Sequence, residues 1–405
     1  MNVEQLVRAS LREQAADTAS APTDFADRVL AARRRRTRRT VTGVAAATVL
    51  VVAVAVGVPL ALNSGDVSTQ LASEASRGQT LTHVDQSPPR DLIAVGDQAL
   101  AAYYTSRQAK QPNRDTITTR TYSLLDQRTG RYEVDARWSY LAVAPGMRTA
   151  AVLERELPAH RVGMLDLVTK KVTRWIPVEQ GIGSLVFSPD GEKLLATTYE
   201  KNPDRAYWSK RIPVNNTPEP QRVDSRTGFA VIDLTKDSVR WTSLPTQRPP
   251  DFPSMGSGRP LLFNADGTLV YEIVDMEPVN YRDLQGKKVP TPPKEKHVDL
   301  MSGPAGLSPN GELVAGGFAG GMRTTATEVL DPGTGERVAK LKGQELLAWA
   351  DDKRLIAWDI APGGGEYDNR LVLITLGSDK VVSLSGARTP KDYSPGRWEP
   401  IFARR

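Results

Sequence analysis

An all-β domain behind a single membrane span is the fold class this sequence predicts, and three observations predict it. Residues 41 to 62, VTGVAAATVLVVAVAVGVPLAL, run for 22 positions without a charge. Beyond them come short alternating runs of β-branched and aromatic residues, broken by Gly, Pro, Asp and Asn, the pattern of antiparallel strands joined by tight turns. Within that region one larger unit recurs, with most spacings between 40 and 50 residues.

At 1.5 Å per residue the uncharged run is about 33 Å long as a helix, enough to cross the hydrocarbon layer. Arg33, Arg34, Arg35, Arg36, Arg38 and Arg39 precede it, and such a flank stays in the cytoplasm. The N-terminus is therefore expected inside and everything after Leu62 outside. A cleaved signal peptide would have a shorter apolar region, roughly 7 to 15 residues, followed by small residues, whereas this one ends in Leu62-Asn63-Ser64. The run Arg38-Arg39-Thr40-Val41-Thr42 matches a twin-arginine export signal only loosely. The expected organisation is a cytoplasmic leader (1–40), a transmembrane helix (41–62), a polar linker (63–81) and an extracytoplasmic domain (82–405).

Charge and cysteine content narrow the function classes. The chain has no cysteine, which removes disulfides, thiolate nucleophiles and cysteine zinc sites. Residues 1 to 40 hold nine basic and five acidic side chains, and the remaining chain 44 and 42. The basic pI is thus largely an anchor effect, and no nucleic-acid footprint is expected.

The repeat has two halves. One is an apolar strand entering an Asp turn and leaving as another strand, centred on Asp126, Asp166, Asp233, Asp283 and Asp331, with Leu376 in the matching place. The other is an opening turn: Ser188-Pro189-Asp190-Gly191, Asn264-Ala265-Asp266-Gly267, Ser308-Pro309-Asn310-Gly311, and a looser copy after Trp349. Proline presets φ, the Asp or Asn side chain bonds its own backbone, and glycine accepts φ > 0. About four strands per period of 40 to 50 residues marks a β-propeller. Six units are visible, and residues 91 to 107 joined to the tail GRWEPIFARR are expected to supply another. The expectation is six to eight blades, with seven favoured.

These repeats resemble those of bacterial WD-like and TolB-type propellers over roughly residues 82 to 402, although the Gly-His pairs of strict WD repeats are absent and a Trp-Asp step occurs once, at Trp358-Asp359, rather than in each repeat. The resemblance implies a ring of blades and leaves the ligand open. Two polar, proline-rich breaks, 200–224 and 286–298, are expected to be rim loops, where rigid scaffolds carry ligands; Tyr207 and Trp208 are the candidate anchors there.

Signatures of chemistry are missing. The three histidines, His83, His160 and His297, are far apart, and the sequence has no Gly-x-Ser-x-Gly elbow, phosphate loop, dinucleotide fingerprint or His-Glu-x-x-His. No cofactor, metal or catalytic residue is expected. Carboxylates are plentiful enough to pair in a central channel, which keeps a propeller enzyme as a minor class.

In the leader, Val3, Leu6, Val7 and Leu11 recur at helical spacing, and Thr23 caps a second short helix with Phe25, Val29 and Leu30. Forty residues bury no proper core, so that apolar face needs a membrane or a partner. FADRVLA, an arginine run and one Ala/Val-rich span resemble the N-terminal ends of actinobacterial membrane proteins, some of them anti-sigma factors. The His-x-x-x-Cys-x-x-Cys zinc motif of those regulators is absent. The leading expectation is a membrane-anchored, noncatalytic propeller that binds a protein, peptide or envelope ligand. The alternative is a transmembrane regulator whose Leu6, Val7, Leu11, Phe25 and Val29 contact a cytoplasmic sigma factor.

Overall fold

The computed structural model describes residues 71–214, 216–244, 259–273, 279–299, 303–321, 325–388 and 396–405. The leader, the proposed span 41–62 and the contact residues Leu6, Val7, Leu11, Phe25 and Val29 lie outside them. No helix among the described residues is long and apolar enough to cross a membrane.

The strands follow the alternation read from sequence and group into consecutive antiparallel sheets. After helix α1 (Ala72–Ala75) come β1 (Ala94–Val95), β2 (Gln98–Lys110), β3 (Thr116–Leu125) and β4 (Tyr132–Asp135). The second unit is β5 (Trp138–Val143), β6 (Thr149–Glu154), β7 (Ala159–Asp166) and the first half of β8 (Val172–Phe187). The second half of β8 opens the third unit, with β9 (Lys193–Tyr199), the inserted hairpin β10 (Arg205–Val214) and β11 (Thr217–Arg222), then β12 (Arg226–Asp233) and β13 (Ser238–Ser243). A fourth unit holds β14 (Leu262–Phe263), β15 (Leu269–Glu272), β16 (Asn280–Asp283) and β17 (Lys288–Val289). The fifth is β18 (Val314–Phe318), β19 (Ala326–Leu330) and β20 (Arg337–Lys342), with a bridge from Leu307 to Val314 in the innermost place. The sixth is β21 (Glu345–Asp351), β22 (Arg354–Ile360), β23 (Asn369–Thr375) and β24 (Val381–Ser383).

The last strand, β25 (Trp398–Arg404), returns to pair antiparallel with β2 from Gln98↔Arg404 to Thr105↔Trp398. A propeller-like ring closes this way, with the first and last parts of the domain sharing a sheet. The two segments expected to add a blade instead complete the Asp126 unit, so the described residues form six units. The reason is non-local: β3 and β4 carry the outer hairpin, and Gly96-Asp97 turns β1 into β2, but the unit's inner strand arrives from the far end of the sequence. Closure is reinforced at Arg405, whose buried guanidinium donates to the carbonyls of Gly96 (3.0 Å from Nε) and Ser76 (2.8 Å from Nη1). Residues 71 to 78, expected within the linker, pack on the first unit. Leu71 and Ser73 are buried, and the Ser73 hydroxyl donates to Gln127 at 2.8 Å.

The repeated turns share one face of the ring, called here the turn face. In Ser188-Pro189-Asp190-Gly191 the Lys193 N–H donates to Ser188 Oγ (2.9 Å) and the Glu192 N–H to Asp190 Oδ1 (2.9 Å); Ser308 and Asn310 repeat both bonds at 3.0 Å. Successive turns also touch. A Cβ on Gly191 would stand 3.3 Å from Pro145 Cδ, and one on Gly267 2.9 Å from Pro189 Cδ, with φ of +76° and +74°. Glycine is thus required at Gly267 by conformation and by the neighbouring unit together. The outer Asp turns work similarly: Asp126, Asp166, Asp233 and Asp331 each accept two backbone N–H groups within their own turn. Those oxygens are committed to turn geometry, and among the described residues no cluster of three potential metal ligands occurs.

Asp126 also joins two units. Lys170, from the second unit, places Nζ 2.6 Å from Asp126 Oδ2 and reaches Glu133 as well. Burial opposes the Asp126 charge, but the ammonium and the N–H groups of Arg128 and Thr129 outweigh it and hold the carboxyl down at about 2. A depressed carboxyl stabilises the fold above its unfolded pKa near 3.8 and ceases to do so as pH falls toward 2. Asp126→Asn is therefore expected to cost on the order of 1–2 kcal/mol at pH 7, allowing for the partly exposed lysine. Denaturant titrations of parent and variant at several pH values should show that difference closing between about pH 4 and pH 2. A difference that stays constant down to pH 2 would refute the assignment.

Candidate functional site

The innermost strands enclose a cavity of about 1190 Å³ whose wall runs from the turns at Ser188, Asn264 and Ser308 to Tyr104, Arg120 and Tyr140 at the other end. That other end, the loop face, receives the β2–β3, β6–β7 and β9–β12 connections. Its rim carries charged side chains in three groups drawn from different units.

The first group is centred on Arg120 of β3. Its guanidinium grips Asp204, just before β10, with Nη2 2.9 Å from Oδ1, and donates to the Ser139 carbonyl at 3.2 Å. The Tyr104 and Tyr140 rings lie 6.0 and 5.7 Å from it. Burial pushes the Tyr140 phenol up to about 12, so these hydroxyls are neutral donors and acceptors at physiological pH. In the second group Glu272, 2 % exposed at its side chain, sits between Arg226 and Arg282.

The third group stands where the sixth unit meets β25. Arg388 lies 3.6 Å over the centre of the Trp358 ring, donates to Glu399 Oε1 at 3.1 Å and to Asn369 Oδ1 at 2.8 Å, and has burial, then neighbouring Arg397, pushing it down to about 10. Burial and mutual repulsion raise the Glu345 carboxyl; burial raises that of Glu399 despite the two arginines. Arg397 is 8 % exposed, and its Nε and Nη2 meet no hydrogen-bond partner among the described residues. Charge is kept here against its own desolvation, as at sites built for something other than stability.

The break at residues 200–224 is not a loose loop. It is the β10–β11 hairpin, and β10 pairs with β3 through Arg205↔Ile117 and Ala206↔Thr116, extending the first unit's sheet. The seam is fixed by Asp115, which accepts from Arg205 Nε and from the Trp208 N–H, both at 2.8 Å. Burial opposes the Asp115 charge, yet these donors keep its carboxyl below the usual range. Tyr207 lies beside Arg205, 5.5 Å from ring centre to guanidinium, while Arg114 and Arg211 stand 5.4 and 5.3 Å from the Trp208 ring. The two aromatics expected to anchor a partner are thus together on the loop face but engaged by arginines. The break at 286–298 contributes β17 and a 3-10 turn (Pro293–Glu295), whose Glu295 accepts from Tyr281 Oη at 2.9 Å and Asn264 Nδ2 at 3.2 Å.

The histidines do not converge: His83 pairs beside Ser385, His160 Nδ1 meets the Glu179 carbonyl, and His297 packs at Gly335. The rim charges were not singled out by sequence reasoning: Arg120 pairs with Asp204 across 84 residues and Arg226 with Glu272 across 46, and the nearer pair Arg388 and Glu399, 11 apart, forms no recognisable motif.

No known family matches the sequence, and no curated protein resembles it in sequence. Among solved structures the chain is similar to TolB from Acinetobacter baumannii, at 15% identity over 77% of this chain and 68% of that one, with a TM-score of 0.40. It is also similar to hydrazine synthase from Kuenenia stuttgartiensis, at 15% identity over 61% and 65%, with a TM-score of 0.32. Likenesses at this level carry no argument about function. The propeller-like assignment rests on this protein's own sheets.

Proposed function

We propose that this protein is a membrane-anchored, noncatalytic propeller of six blades that binds a protein, peptide or envelope ligand at its loop face, outside the membrane. The observation that carries the reading is the rim group at Arg388 and Arg397. Two guanidiniums held beside raised carboxyls give this part of the rim a concentration of charge that an anionic group of a ligand would complement. The cavity enclosed by the innermost strands has room for a side chain or chain end. Helix α1 and residue 71 pack against the turn at Gln127, so a tether would join the ring on the turn face and leave the loop face accessible. The uncharged run 41–62 and its arginine flank support the anchor and a cytoplasmic N-terminus.

Crosslinking capture of the full-length chain from its native membrane tests this reading against the regulatory one, using three forms: parent, Arg388→Gln with Arg397→Gln, and Leu6, Val7 and Leu11 changed to Asp. Envelope partners held by the parent and by the leader variant, but lost from the arginine variant, are the expected result. A sigma factor captured by the parent and lost only from the leader variant would replace the proposal with a transmembrane regulator.

A further inference from the structure

We propose that the paired hairpins β2–β3 and β10–β11 form a docking surface for a flexible envelope polymer in which polyol or sugar units alternate with phosphodiesters. The inference rests on the proposed placement of the domain outside the membrane, but it is separate from the rim site and holds whether or not the channel takes a ligand. Residues 105–118 and 205–222 hold seven basic and two acidic side chains, although the sequence beyond residue 40 has only 44 against 42. Folding therefore gathers on one extension a surplus that the whole domain does not have. One of the two acids, Asp115, is buried and spent on Arg205 and the Trp208 backbone. Arg107, Lys110, Arg114, Arg211 and Arg222 are exposed and make no ion pair among the described residues.

Their placement selects the partner. Lys110, Thr116, Ala206 and Arg222 are successive cross-strand neighbours and share one face. Arg107, three positions from Lys110, points to the other face by strand alternation. Arg114, in the turn between β2 and β3, and Arg211 flank Trp208. A planar lipid surface touches one face of a sheet, whereas a flexible polyanion can follow charges around both faces and the tip. Nucleic acid recruits free aromatic rings for base stacking, and the rings here are already covered by guanidiniums. What is offered is a set of forked donors, with hydroxyl and amide donors at Thr118 and Gln108 beside them, which fits phosphate oxygens repeated along a chain.

Binding of a poly(glycerol phosphate) chain to the full-length protein in detergent micelles tests this, measured across a salt series. One variant carries Gln at Arg107, Lys110, Arg114, Arg211 and Arg222. A control carries Gln at the exposed Lys171, Arg240, Lys288, Lys340 and Lys353, and equal melting temperatures show that both fold. The extension variant is expected to bind at least about tenfold more weakly at low salt, with a shallower salt dependence, and the control to match the parent within about twofold. Arg107→Gln alone and Lys110→Gln with Arg222→Gln should each weaken binding, because both faces are used. Equal losses in the two five-site variants, no binding by the parent, or tighter binding to phosphatidylglycerol vesicles or single-stranded DNA than to the polymer would overturn the proposal.

Discussion

Replacing Trp398 with alanine is expected to cost about 3–5 kcal/mol, the range for emptying a large buried aromatic site. Trp398 is 2 % exposed and opens β25, the strand that closes the ring. It meets Tyr103 of the first unit at 5.7 Å and Trp358 of the sixth at 5.0 Å, both edge to face, and its Nε1 donates to Ser87 Oγ at 3.0 Å. Three segments far apart in sequence thus converge on one indole. Trp398→Phe keeps most of the area and both ring contacts, and loses chiefly one hydrogen bond, so about 1 kcal/mol is expected. Guanidinium chloride unfolding reads both values. An alanine variant as stable as the phenylalanine one would mean that the seam is held elsewhere.

The second large effect belongs to Glu272. Its carboxylate is the buried anion between Arg226 and Arg282, whose side chains are only 10 and 13 % exposed. Glu272→Ala removes the acid and leaves two cations in a poor solvent, a change expected to cost about 3–5 kcal/mol. The cost reflects stranded charge more than the worth of the original contacts, because desolvation already offsets much of the attraction in a buried ion pair. Changing all three residues to methionine is therefore expected to recover most of the loss. If the triple variant proves less stable than Glu272→Ala in the same titration, the network is a net source of stability and this account of it is wrong.

The blades were legible because their signals are local. A Pro-Asp-Gly step, an Asp turn and alternating apolar residues each act within a dozen positions, and they place β8–β9, β12–β13 and β21–β22 where the sequence puts them. The joining of residues 91 to 107 with the tail was also legible, but not that both belong to the Asp126 unit: its inner strand lies some three hundred residues away, at Trp398–Arg404, and β2 pairs with it and with β3 alike. The candidate site was legible only through Tyr207 and Trp208. Nothing near Arg120 in sequence announces Asp204, and a near-neutral domain composition conceals a basic extension made from two segments about ninety residues apart. Pairings of that range depend on the ring having formed, whereas turn chemistry does not.

The central claim, that ligands approach the loop face, is tested most directly by photocrosslinking in the native membrane. One full-length form carries the photoreactive residue at Gln108, exposed on β2 at the loop face, and another at Lys236, exposed in the turn between β12 and β13. The account predicts envelope adducts from position 108 and none from position 236. Adducts from position 236 with none from position 108 would contradict it and move the binding surface to the turn face.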